Sequence, residues 1–190
     1  ICIALCILVP FSRLYLGVHT LLDVGISLII ALLLIFVIYP IIYNSGDHPK
    51  TMRILFIIMI AMSVILLMFV STYPFPADVD AENLAHGTKN AYKMLGCSLG
   101  IYIAYEVDNR YIQFDTKASL PAQILKLLIG LIPLLLIKEG MRTPLALIFG
   151  ESYVADGVRY LLLVLFAGCV WPLTFKKFAK MFSKNEKEIL

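Results

Sequence analysis

The chain of 190 residues is 61% hydrophobic and only 15% charged, with a mean hydropathy of +0.89. An average soluble domain is roughly 45–50% apolar and roughly a quarter charged. A fold of this size exposes too much surface to hide such an excess of apolar side chains. The composition therefore excludes soluble, disordered and fibrous proteins and predicts an integral membrane protein. The net charge of +3 is too small to predict a nucleic-acid partner.

The sequence begins inside an apolar run, at Ile1, without an initiator Met or a charged leader. We therefore expect a fragment or an incomplete reading frame, and the lack of a signal peptide carries no information. Residues 1–9 are too short to span a bilayer, so they are expected to be the end of a helix whose start is missing.

Five later segments are apolar and long enough to span a bilayer core, which needs about 20 residues per helix. These segments are residues 24–43, 54–73, 91–107, 120–137 and 158–175. Short stretches with turn-forming residues separate them, as at 44–49 and 74–78. We predict an all-α fold: a multi-pass transmembrane helical bundle with about five full spans and a truncated N-terminal helix.

The four cysteines all lie in apolar stretches, without a C-x-x-C pair or a cluster of other ligands. This pattern favours buried free thiols over a disulfide framework or a metal site. They are Cys2, Cys6, Cys97 and Cys169.

The Lys and Arg residues of the short loops predict the orientation in the membrane. Loops 44–53 and 108–119 and the tail 176–190 together carry nine basic residues, against four on the opposite side. We therefore expect the tail to be cytoplasmic and the segment around Arg13 to face outward. The nine are Lys50, Arg53, Arg110, Lys117, Lys176, Lys177, Lys180, Lys184 and Lys187.

A candidate catalytic group lies between the first apolar segment and the first full span. If the chain is helical from about Leu14, His19 and Asp23 lie four residues apart and share a face. The carboxylate then fixes one imidazole nitrogen and leaves the other as a nucleophile. Arg13 carries a planar guanidinium that suits phosphoryl oxygens, and we expect it near a helix N-terminus, which also favours anions. The alternative is an interfacial His–Asp pair with Arg13 as an ordinary anchor.

At these residues the sequence resembles the type 2 phosphatidic acid phosphatase family, membrane relatives of the vanadium haloperoxidases. Ser12, Arg13, His19 and Asp23 match its third signature motif, S-R-x5-H-x3-D, and the spacer residues look like those of bacterial members. The resemblance implies that His19 attacks phosphorus to form a phosphohistidine, that Asp23 orients it, and that Arg13 binds phosphate oxygens together with Ser12. It also implies that no metal or other cofactor is needed and that the site is extracytoplasmic.

Two other signature motifs of the family, K-x6-R-P and P-S-G-H, do not occur in residues 1–190. The second would supply the acid that protonates the leaving oxygen. Ser45-Gly46-Asp47-His48 has an inserted Asp and lacks the Pro, and His86-Gly87 lacks the Ser-Gly. We expect neither His48 nor His86 to be the acid, and we expect residues 1–190 alone to be inactive.

The resemblance divides the chain into residues 1–43, the last two helices of a phosphatase core, and residues 44–190, a four-helix transmembrane extension with a basic tail. In the extension, Gly96 and Gly100 predict close helix packing. Lys138, Arg142 and Arg159 are expected near the outer face, as interfacial anchors or as cations that hold an anionic headgroup.

The sequence thus predicts part of a cell-membrane lipid phosphatase whose partners are a lipid phosphate or diphosphate and the surrounding lipids. Undecaprenyl diphosphate is the first candidate substrate. Two alternatives stay open: a non-catalytic helical scaffold or transporter-like module, and a lipid phosphotransferase that passes the phosphoryl group to an acceptor other than water.

Overall fold

The chain is built from helices joined by short turns, as a computed structural model shows for residues 2–17, 20–115, 119–150 and 152–176. No strand occurs in these ranges, so the predicted all-α, multi-pass fold is confirmed. His19 and Lys117 lie outside the described residues. So do four of the tail lysines, Lys177, Lys180, Lys184 and Lys187.

Seven α-helices follow one another along the described part of the chain. They are α1 (Cys2–Tyr15), α2 (Leu21–Tyr43), α3 (His48–Thr72), α4 (Ala81–Val107), α5 (Leu120–Gly140), α6 (Arg142–Phe149) and α7 (Tyr153–Leu165). A π-helical turn, Asp108–Ile112, extends α4, while a second π-helical turn and a 3-10 turn, Phe166–Val170 and Trp171–Thr174, extend α7.

Four stretches of the described chain are long and apolar enough to cross a membrane. They are Leu21–Tyr43, His48–Thr72, Leu120–Phe149 and Tyr153–Thr174. The predicted span at 91–107 is not among them. The helix that contains it, α4, has 27 residues, but Lys89, Lys93 and Glu106 make it more polar than the other four.

The first helix, α1, continues past the apolar run of residues 1–9 and ends at Tyr15, so it is separate from α2. The continuous helix from about Leu14, which the sequence-based expectation took as its condition, is not found, because α1 ends at Tyr15 and α2 begins at Leu21. Gly17 has a positive φ of 67°, which ends a helix at low cost for a glycine. Thr20 has extended backbone, with φ −82° and ψ 160°, so α2 begins only at Leu21.

Contacts divide the chain into two units, residues 1–52 and 53–190. In the first unit, α2 has no buried residue although it is apolar on every side, as expected for a helix that faces lipid. In the second unit, α4 and α7 pack closely. A Cβ atom on Gly96 would lie 2.1 Å from the carbonyl oxygen of Gly157, and one on Gly100 would lie 2.9 Å from Cβ of Val164. These two glycines therefore serve helix packing, as predicted.

An ion pair also joins α3 to α4 within the second unit. The Nε of Arg53 donates to Oε1 of Glu106 at 2.5 Å and Nη2 of Arg53 donates to Oε2 at 3.3 Å. Arg110 donates to the same carboxylate at 3.1 Å. Arg110 lies four residues after Glu106, whereas Arg53 lies 53 positions before it, so this ion pair connects two helices.

Candidate functional site

A groove of about 270 Å³ forms where α1 ends and α2 begins. Arg13 and Asp23 both line it, together with Ser27 and apolar side chains. The groove therefore brings the guanidinium and the carboxylate of the predicted site to one place, although ten residues of sequence separate them.

Asp23 is held at the start of α2 by a reciprocal pair of hydrogen bonds with Thr20. The backbone N–H of Asp23 donates to Oγ1 of Thr20 at 3.2 Å, and the backbone N–H of Thr20 donates to Oδ2 of Asp23 at 3.0 Å. This is a capping box, which satisfies two donors that the first helical turn otherwise leaves unpaired. The carboxylate is thus fixed next to a helix N-terminus, where negative charge is favoured.

Arg13 lies in the last turn of α1 rather than at a helix N-terminus, which corrects the sequence-based expectation. A cation is also favoured at this end of a helix, because the unpaired carbonyl groups there carry partial negative charge. Ser12 is exposed and its hydroxyl donates to the carbonyl oxygen of Val9 at 2.8 Å. Ser12 does not line the groove.

The signature motif is therefore divided between two helices. Ser12 and Arg13 lie near the end of α1, and Asp23 belongs to the first turn of α2. His19 directly precedes the N-cap residue Thr20 in the sequence and lies outside the described residues. Since α1 ends at Tyr15, Thr20 is extended and α2 begins only at Leu21, the described residues do not form one continuous helix from Leu14 to Asp23. The capping box had a signal in the sequence that the prediction missed, namely a Thr followed three residues later by an acidic residue.

The two other histidines have ordinary surroundings. His48 begins α3, and Nε2 of His86 lies 3.6 Å from a carboxylate oxygen of Glu82, one helical turn earlier. No group of three or more His, Cys, Asp or Glu residues that could hold a metal ion occurs in the described part of the chain.

Of the three basic residues expected near the outer face of the extension, two line the same cavity and one does not. Arg142 and Arg159 line one cavity of the second unit. Lys138 does not line it and lies 3.4 Å from a carboxylate oxygen of its neighbour Glu139. Lys89 and Asp156 line the same cavity and were missed: Lys89 is distant in sequence from both arginines, and Asp156 was not recognised as the partner of Arg159 three residues later.

Two protein-family models match the chain. Residues 1–47 match the model of the PAP2 superfamily, and residues 92–184 match the model described as PAP2 superfamily phosphatase, transmembrane extension. Searches of curated proteins and of solved structures give no match. The two matches confirm the family resemblance found in the sequence.

Proposed function

Because the chain belongs to the PAP2 superfamily of phosphatases, we propose that it is part of an integral-membrane lipid phosphatase that acts through a phosphohistidine. The substrate is a lipid phosphate or diphosphate, with undecaprenyl diphosphate as the first candidate. The observation that carries the proposal is the S-R-x5-H-x3-D motif within residues 1–47, whose Arg13 and Asp23 line one groove.

The reaction begins when the free imidazole nitrogen of His19 attacks phosphorus. A nitrogen–phosphorus bond forms and the bond from phosphorus to the leaving oxygen breaks. The leaving oxygen takes its proton from the acid of a P-S-G-H motif, which residues 1–190 do not contain, and the lipid alcohol or lipid monophosphate departs. Water then attacks the phosphohistidine, inorganic phosphate leaves, and the imidazole is regenerated. For a diphosphate substrate, the bond that breaks is the one to the terminal phosphorus.

The other motif residues support this chemistry by charge and position. A carboxylate that accepts the second imidazole N–H holds the ring in one tautomer and stabilises positive charge on it, and this is the role of Asp23. Arg13 binds the oxygens of the transferred phosphoryl group, where two parallel N–H donors strengthen the contact. The hydroxyl of Ser12 donates to the carbonyl oxygen of Val9 and Ser12 does not line the groove, so the groove supports Arg13 rather than Ser12 as the phosphate ligand. The capping box with Thr20 supports the role of Asp23, because a carboxylate fixed at a helix start is already oriented.

The test is phosphate release by the full-length protein that contains this sequence, reconstituted in lipid. We expect His19→Ala to lower the rate by about a thousandfold or more, because the covalent step loses its nucleophile. His86→Ala and His48→Ala are the matched controls, and both should keep the rate near that of the wild-type protein. Undiminished activity in His19→Ala would contradict the proposal.

The same assay with a chelator tests the proposed absence of a metal requirement. We expect full activity in excess chelator, whereas a strict metal requirement would contradict the phosphohistidine mechanism. A full-length protein that consumes lipid phosphate without releasing inorganic phosphate would instead be a phosphotransferase. A full-length protein with neither activity would be a non-catalytic membrane module.

A further inference from the structure

A second cavity, of about 330 Å³, lies within residues 53–190 at the ends of two membrane-spanning stretches. Gly150 and Ser152 line it, and they belong to the link between Leu120–Phe149 and Tyr153–Thr174. Since this link ends both apolar stretches, the cavity lies at the depth of lipid headgroups rather than of acyl chains. Its volume is at the lower end of the range of small-molecule sites, about 300–1,000 Å³. It has room for a headgroup but not for a whole lipid.

The charged residues that line this cavity are mainly cations from three helices. Lys89 comes from α4, Arg142 begins α6 and Arg159 lies in α7. Asp156 is the only acidic residue among the described lining residues. We call these four residues the basic site. Its three cations exceed its one carboxylate, so the site attracts anions.

The single carboxylate of Asp156 does not neutralise the three cations of the basic site. It already contacts two of them. It accepts a hydrogen bond from Nη2 of Arg159, and its other oxygen lies 3.5 Å from Nζ of Lys89. The Asp156 side chain is 15% exposed. This arrangement fixes Lys89 and Arg159 in place, while Arg142 makes no ion pair within the described part of the chain.

The Nε–H of Arg159 is a buried donor that has no acceptor among the described residues. Its side chain is only 11% exposed, so bulk water has little access to it. Buried donors are nearly always paired in folded proteins, and a guanidinium has five donors that need acceptors. A purely structural Arg159–Asp156 pair would leave this donor unsatisfied. A bound anion next to Arg159 would satisfy it.

The remaining wall of the cavity is partly apolar, through Met141, Leu145 and Ala146. Leu145 is among the few buried apolar residues of the described chain, with 5% exposure. An anion with a short carbon attachment fits cations on one side and aliphatic side chains on the other. A phosphate ester has this character.

We propose that the basic site binds a phosphate group, either the phosphomonoester headgroup of a lipid phosphate or free inorganic phosphate. Arg142 and Arg159 donate to the phosphate oxygens, Lys89 adds charge, and Asp156 positions two of the three cations. The proposal concerns residues 53–190 and does not depend on catalysis by the motif at Ser12–Asp23.

The test measures ligand-dependent thermal stabilisation of the full chain in a neutral detergent. The probes are inorganic phosphate, dihexanoyl phosphatidate and, as an uncharged comparison, dihexanoyl phosphatidylcholine. All measurements use an Arg13→Gln background, so that phosphate held at the first unit does not contribute. We expect concentration-dependent stabilisation by phosphatidate, phosphate or both, and none by phosphatidylcholine. Tighter binding of phosphatidate than of phosphate would identify a lipid headgroup as the ligand, and equal binding would identify free phosphate.

Substitutions then separate the basic site from general surface charge. Arg142→Gln removes an exposed cation and should weaken binding about tenfold, as expected for the loss of a charge-assisted hydrogen bond. Arg159→Gln should weaken it at least as much, and Arg142→Gln keeps the test valid if that buried substitution prevents folding. Lys138→Gln is the matched control, because Lys138 lies in the last turn of α5, four residues before Arg142, and does not line the cavity. Equal binding by Arg142→Gln and the control, or no stabilisation by either phosphate probe, would overturn the proposal.

Discussion

Asp23 illustrates how one residue serves both a helix and a predicted active site. Its side chain caps α2 through Thr20, and it lines the groove with Arg13. The residue types and spacing of the motif were readable from the sequence because the motif is local. The helix break between Arg13 and Asp23 was not predicted, since the apolar pattern continues through it. Only Gly17 and the Thr20–Asp23 spacing carried a signal for the break.

Substitutions at Thr20 and Asp23 separate capping from catalysis. Asp23→Asn keeps an oxygen that accepts from the Thr20 N–H but loses the charge, so we expect little change in stability and a loss of phosphate release of roughly a hundredfold or more. Thr20→Ala removes the cap and keeps the charge. It should destabilise the protein by about 1 kcal/mol with a much smaller effect on rate.

Thermal unfolding and phosphate release of the two full-length variants are the measurements. An Asp23→Asn enzyme with the wild-type rate would show that this carboxylate only caps the helix.

At the scale of elements, α4 and α7 are in contact through glycines that come from distant parts of the sequence. The G-x-x-x-G spacing of Gly96 and Gly100 predicted a close helix contact, and that is confirmed. Its partner, Gly157, was not predicted, because a single glycine in a 13-residue helix has no local pattern that identifies the opposing helix. The polar residues of α4 also hid its true start. The apolar pattern predicted a span from residue 91, whereas the helix begins at Ala81.

We expect Gly96→Ala to destabilise the protein by about 1–3 kcal/mol, because the added methyl group would meet the backbone of Gly157 and force the helices apart. Gly87→Ala is the matched control in the same helix. A Cβ at Gly87 meets no atom within 4 Å, so alanine there should be neutral or stabilise by about 0.5–1 kcal/mol. Thermal unfolding in detergent measures both. Equal stability of the two variants would contradict the packing of α4 on α7.

For the whole molecule, composition was enough to predict that the protein lies in a membrane, and the described structure explains why. The α2 helix exposes apolar side chains on all sides, such as Ile35 and Phe36, which water would not tolerate but lipid does. The sequence predicted the basic site only in part: it singled out Arg142 and Arg159, whereas Lys89 joins them only after α4, α6 and α7 pack.

The orientation predicted from loop charge can be tested with two substitutions in a background that lacks the native cysteines. Leu16 is 70% exposed after α1, and Gly46 lies in the loop between α2 and α3 with open space around it. We expect a membrane-impermeant maleimide to label Leu16→Cys in intact cells and Gly46→Cys only after permeabilisation, because the loop with Lys50 and Arg53 is predicted to be cytoplasmic. The reverse pattern would show that the motif faces the cytoplasm.

The most direct test of the account is to trap the covalent intermediate on His19. The full-length protein is mixed with a lipid phosphate labelled with radioactive phosphorus, quenched in base within milliseconds to seconds, and examined for protein-bound label. A phosphohistidine is stable in base and labile in acid, so the account predicts base-stable, acid-labile label on the wild-type protein and on His86→Ala, and none on His19→Ala. Label that persists in His19→Ala, or phosphate release without any labelled protein under these conditions, would contradict the account.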